Sequence, residues 1–76
     1  MNNTRRKNLR ELIEKTEGIK LDVEEIKTEE EECYNNMPES FQDGEKGDRA
    51  QAAIDHLDDA LNSLSEALEN LESAAE

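Results

Sequence analysis

The chain has 76 residues, 39% of them charged and 3% aromatic, and its formal net charge is −12. So small a chain buries too little surface to be comfortably stable alone, and Cys33, its one cysteine, offers no internal disulfide to compensate. The acidity disfavours nucleic acid and anionic membrane as ligands and favours a basic partner or simple solubility.

Patterning decides between disorder and helix. An Ala, Glu, Lys and Leu-rich sequence with sustained apolar periodicity reads as long helix or coiled coil. The first helix is expected over residues 4–34, capped by Asn3 or Thr4. In it Leu9, Leu12, Thr16, Ile19, Val23, Ile26, Glu30 and Cys33 alternate at spacings of three and four, which is a heptad seam, widened by Ile13. Thr16 and Glu30 interrupt the seam. Gly18 lies inside the helix, tolerated or marking a close approach, at about 1 kcal/mol relative to Ala.

Residues 35–47 (NNMPESFQDGEKG) break the pattern with Asn-Asn, Pro38 and two glycines. Asn36 with Glu39 is placed to cap a short turn holding Pro38, and Met37 and Phe41 are expected to plug the open end of a hairpin. Asp48 with Gln51 forms a capping box that would start the second helix, residues 48–75. There Ile54, Leu57, Leu61, Leu64, Leu68 and Leu71 fill both seam positions of successive heptads, with Ala53, Ala60, Ala67 and Ala74 in a column beside them.

A face that wide is more than one helix covers. The expected fold is therefore all-α, an antiparallel helical hairpin in a single domain that pairs with a second copy as a four-helix bundle, with Ile54, Leu57, Leu61, Leu64, Leu68 and Leu71 as the oligomerisation residues. The connector also permits helices to swap between chains.

Charge is unevenly placed. Residues 1–28 carry seven basic and six acidic side chains, a balance of +1, whereas residues 29–76 carry two and fifteen, a balance of −13. An antiparallel hairpin would set Arg5, Arg6, Lys7 and Arg10 beside Glu66, Glu69, Glu72 and Glu76, and residues 29–32 near Lys46 and Arg49.

No motif of catalysis is present: no phosphate loop, no nucleophile elbow, no paired cysteines, so no enzymatic activity and no cofactor are expected. His56 lies among Asp55, Asp58 and Asp59, but the bundle metal pattern needs Glu three residues before the histidine, and Ala53 stands there. An exposed histidine and no metal are expected. Cys33, at a seam position, reads as a buried inert thiol.

What remains is surface. Glu29, Glu30, Glu31, Glu32, Asp55, Asp58 and Asp59 form an acidic surface that either keeps the protein soluble or mimics a nucleic-acid backbone toward a basic groove. Tyr34, Met37 and Phe41 of the connector offer apolar contact to the same partner. Arg5, Arg6, Lys7 and Arg10 can instead be read as an anion site, which would make the chain a sponge for a small nucleotide. A plain structural oligomerisation module is the remaining alternative.

The basic start, the acid-rich first helix, the connector motif Asn36-Met37-Pro38-Glu39-Ser40 and the acidic Ala/Leu heptad helix resemble a group of small phage and prophage proteins over nearly the whole chain. The resemblance implies a virus-encoded protein acting in a bacterial host, where such small acidic proteins commonly block host machinery or defence systems. The expected location is the host cytoplasm, consistent with the lone thiol and with the lack of any segment resembling a leader or a membrane span.

Overall fold

The computed structural model describes all residues from Met1 to Glu76. Helix α1 spans Asn3–Asn35, a single turn α2 spans Glu39–Gln42, and α3 spans Glu45–Ala74. Helices α1 and α3 fold back on one another as an antiparallel hairpin, 58 Å long and 14 by 12 Å across. No helix is long and apolar enough to cross a membrane.

The helix ends depart from expectation in small, explicable ways. Asn2 caps α1, accepting the Arg5 N–H on its side-chain oxygen at 2.8 Å, so the cap precedes Asn3 and Thr4. Asn36 closes α1 instead of opening α2, whose first turn follows Pro38 without a side-chain cap. Helix α3 begins three residues before the expected capping box, after Gly44, and Asp48 sits within its first turn, where a carboxylate favours the positive end of the helix dipole.

The tight connector depends on Gly47. A Cβ there would stand 1.9 Å from the Gln42 carbonyl oxygen, so only hydrogen lets the chain after α2 pass this close to α3. Gly47 is buried, whereas at Gly18 a Cβ would meet nothing within 4 Å. Gly18 therefore marks no close approach. The Gln42 side chain then donates from Nε2 at 2.9 Å to the Tyr34 carbonyl, which also accepts the Met37 N–H at 3.1 Å, tying the connector to the end of α1.

On α3 the row turned to α1 is the one the heptads indicate: Gly47, Ala50, Ile54, Leu57, Leu61, Leu64, Leu68, Leu71 and Ala75 are all buried or half-buried. The leucines that the sequence assigns to association between chains are thus used within the chain. Burial is shallow all the same; Ala50, Leu68 and Ala75 are the only side chains below 9% exposure.

On α1 the row turned inward differs from the expected seam. Leu9, Thr16, Val23 and Glu30 face α3, but they are joined by Ile13, Lys20, Lys27 and Tyr34, while Leu12, Ile19, Ile26 and Cys33 are exposed. Leu12 is 49%, Ile19 53% and Ile26 54% exposed. Thr16 is accommodated on the seam because its hydroxyl donates to the Leu12 carbonyl at 2.7 Å.

The rotation sets two lysines on the seam in place of the apolar row. Lys20 and Lys27 are half-buried on the seam, and Lys27 carries its ammonium group to an acid on the far helix. Lys27 pairs with Asp58 and lies 3.6 Å from Glu31 on its own helix. Lys20 shares a groove with Glu69 and Glu72. Turning the Leu12 row inward instead would forgo those charges and face no acid in return.

Candidate interaction surfaces

The hairpin has two unlike flanks. On one, a groove is lined by Glu17, Lys20, Leu21 and Glu24 of α1 with Ser65, Leu68, Glu69 and Glu72 of α3. The same flank continues toward the connector through Glu31, Tyr34, Asn35 and Gln51, and toward the termini through Arg10, Ile13, Glu72 and Glu76. Four carboxylates border the central groove against one ammonium. It is the acidic flank.

The opposite flank follows from helix geometry. On α1 the Leu12, Ile19, Ile26 row lies on the other side of the seam from Arg10, Glu17, Glu24 and Glu31; on α3 the Ala53, Ala60, Ala67, Ala74 row lies on the other side from Gln51, Ser65 and Glu72. Since the second members of each pairing share grooves, the first members share the other flank. Ala60, Ala67 and Ala74 are exposed there, as the α1 row is.

Acidic residues are sorted between these flanks. In α3, Glu45, Asp48, Asp55, Asp58, Asp59, Glu66, Glu69 and Glu72 all fall on the outer side or the acidic flank. The row bordering the alanine column on its far side reads Arg49, His56, Ser63, Asn70 and contains no acid. Alternation of charge along the sequence shows the acids; only the contact row shows that those of α3 leave one flank free, while Asp22 and Glu29 of α1 stand at its border.

The acidic residues proposed from sequence therefore divide. Asp55 and Asp59 are exposed on the outer side, and Asp58 is held by Lys27. The Asp58 hydrogen bond, with smaller contributions from its charge and from Glu31, raises the Lys27 pKa above its ordinary value, although partial desolvation opposes it. Glu29 and Glu32 are exposed, while Glu30 and Glu31 are half-buried beside the seam. Arg49 bonds Glu45 within its own helix at 2.5 Å, and Lys46 stands over the Phe41 ring, 5.3 Å from its centre, so neither cation reaches residues 29–32.

Of the connector trio, Phe41 is 50% exposed while Tyr34 and Met37 are half-buried. Phe41 does not plug the hairpin end. At the other end Arg5, Lys7 and Arg10 are exposed and Arg6 is half-buried, its Nη1 donating to Asn3 and its Nε without a partner. No ion pair joins this cluster to Glu66, Glu69, Glu72 or Glu76, so the expected neutralisation across the hairpin is not made, though Arg10 and Glu76 border one groove.

Cys33 is exposed, a consequence of the same rotation that exposes Ile26, and is not the buried thiol expected of a seam position. His56 is exposed, and no three His, Cys, Asp or Glu side chains converge as metal ligands. Gly47 and Gln42 were not singled out by residue pattern; the Gly44 and Gly47 pair so close to Pro38 is the one local sign that the connector turns tightly. No family model, curated protein or solved structure matches the chain.

Proposed function

We propose that this is a non-enzymatic interaction protein that binds a basic surface on another protein through its acidic flank and outer side, and so inhibits or redirects it. The observation that carries the reading is the sorting of every α3 acid away from the alanine column. Acids scattered for solubility alone have no reason to avoid one flank. In line with the resemblance to phage proteins, the partner is a protein of the bacterial host, such as a nucleic-acid-binding or defence component.

In this reading two hairpins join as a four-helix bundle. Charge density bears on how closely the surface imitates DNA. A net −12 along 58 Å is about one charge per 5 Å, well below the one per ~1.7 Å of duplex DNA. Two hairpins side by side would reach about one per 2.4 Å, so mimicry of a nucleic-acid backbone requires the pair.

The test is capture from bacterial lysate on the immobilised chain, compared with a variant carrying Asp55→Lys, Asp59→Lys and Glu66→Lys. Proteins retained by the wild type and lost both by the variant and by raising salt from about 50 to 200 mM fit electrostatic docking on this surface. Retention indifferent to salt and to the three reversals would sink it.

A second reading, a structural oligomerisation module, draws on the exposed Leu12, Ile19 and Ile26 row. It has the same bundle and no captured protein.

A further inference from the structure

We infer that the flank carrying the alanine column is the dimer interface, and that two copies pack on it with their long axes antiparallel, α1 on the partner's α1 and α3 on the partner's α3. This rests on the two-copy bundle proposed above and names the face and orientation. The face is built from Leu12, Ile19 and Ile26 together with Ala60, Ala67 and Ala74.

Area is the first argument. The hairpin exposes 5695 Å². A compact monomer of 8.7 kDa exposes about 4,700 Å². The excess, roughly 1,000 Å², is the share one partner gives to a stable interface, about 800 Å². This flank gives it at the least cost in carboxylates, since no α3 acid lies on it and Asp22 and Glu29 of α1 stand at its border beside Lys15.

Register is the second. Ion pairing of Lys27 with Asp58, and the grooves joining Lys20 to Leu68 and Ile13 to Ala75, place Ile19 level with Ala67. A two-fold axis through those two residues sets Leu12 opposite Ile26 of the second copy and Ala60 opposite Ala74. Every large residue then meets a large one on one side, and the alanines allow the two α3 helices to approach closely on the other.

Charge decides orientation. With the axis at Ile19, the charges of α1 that border the face meet opposite ones, Lys15 of each copy level with Asp22 of the other and Arg5 near Glu29. Parallel copies would instead put like ends together.

The native Cys33, exposed and alone, reports the orientation once it carries a nitroxide label. Cys33 lies fourteen residues from Ile19, so the antiparallel register separates the two labels by about 40 Å, whereas parallel copies bring them within roughly 25 Å. The expected result from double electron–electron resonance on the full chain is the long distance, lost on Ile19→Asp with helical content unchanged and kept on Leu21→Asp. A short distance, or a signal that survives Ile19→Asp, overturns the face and orientation while leaving a two-copy bundle standing. No dipolar signal in the wild type overturns the bundle as well, and none of these outcomes involves the acidic flank or its partner.

Discussion

Lys27 of α1 and Asp58 of α3 form the ion pair that crosses the hairpin, and Lys27 lies on the row of α1 that turns inward. By hydrophobicity the Leu12, Ile19, Ile26 row is the better candidate for the core. It lies outside, while Lys20 and Lys27 occupy the inward row and Lys27 meets Asp58 across the hairpin. A charged seam inside and an apolar row outside are therefore two sides of one choice, and the outward row is what a second copy would cover.

The pair gives a pH signature. Lys27 has a folded pKa raised above 10.5, so its contribution to stability is fully present below that value and is lost as pH rises through the folded pKa. In thermal melts followed by circular dichroism, the gap in Tm between wild type and Lys27→Met is expected to stay constant from about pH 7 to 10 and to close above. A gap that closes on the acidic side of pH 7 instead would assign the difference to other groups.

The two helix-borne glycines should respond in opposite directions. Gly18→Ala fills open space on an exposed helix surface and should add about 1 kcal/mol, a rise in Tm of roughly 4–8 °C. Gly47→Ala drives a methyl into the Gln42 backbone and should cost about 2 kcal/mol, a fall of roughly 8–16 °C. Equal responses at the two sites would show that the connector does not pass close to α3.

Gln42→Ala removes the side-chain donor to the Tyr34 carbonyl and leaves it the Met37 N–H as partner, loosening the connector from the end of α1. The expected loss is about 1 kcal/mol. Amide hydrogen exchange should quicken at residues 34–37 first. Uniform acceleration along both helices would mean that the bond acts on global stability and not on the helix end.

A leucine on the seam and one on the outer side of the acidic flank separate packing from surface. Leu68 is 8% exposed and Leu21 65%. Leu68→Ala should lower unfolding free energy by about 2–3 kcal/mol, and Leu21→Ala by less than about 0.5. Urea unfolding of the two variants checks the order, and a reversed order would mean that the seam lies elsewhere.

Much of this architecture was legible in the sequence. The leucine heptads of α3 determine its buried row without ambiguity, since no competing row holds large apolar residues. In α1 two rows flank the Leu9, Val23 positions, and hydrophobicity selects Leu12, Ile19, Ile26 and Cys33 where the structure selects Ile13, Lys20, Lys27 and Tyr34. Periodicity ranks rows by apolar content, and it cannot register that Asp58 stands opposite Lys27 until the helices are aligned. The early start of α3 escapes for a similar reason. Gly44 caps it through its backbone, leaving no side-chain signature, while Asp48 offers a capping box that the helix passes through.

Sedimentation equilibrium of the wild type beside Ile19→Asp and Leu21→Asp tests most directly that the rod is two-sided, with one flank for a copy of itself and the other for a partner. The expected masses are twice the 8.7 kDa of one chain for the wild type and for Leu21→Asp, and a single chain for Ile19→Asp with its helicity intact. A wild type that sediments as one chain, or dissociation caused by Leu21→Asp and not by Ile19→Asp, would contradict it.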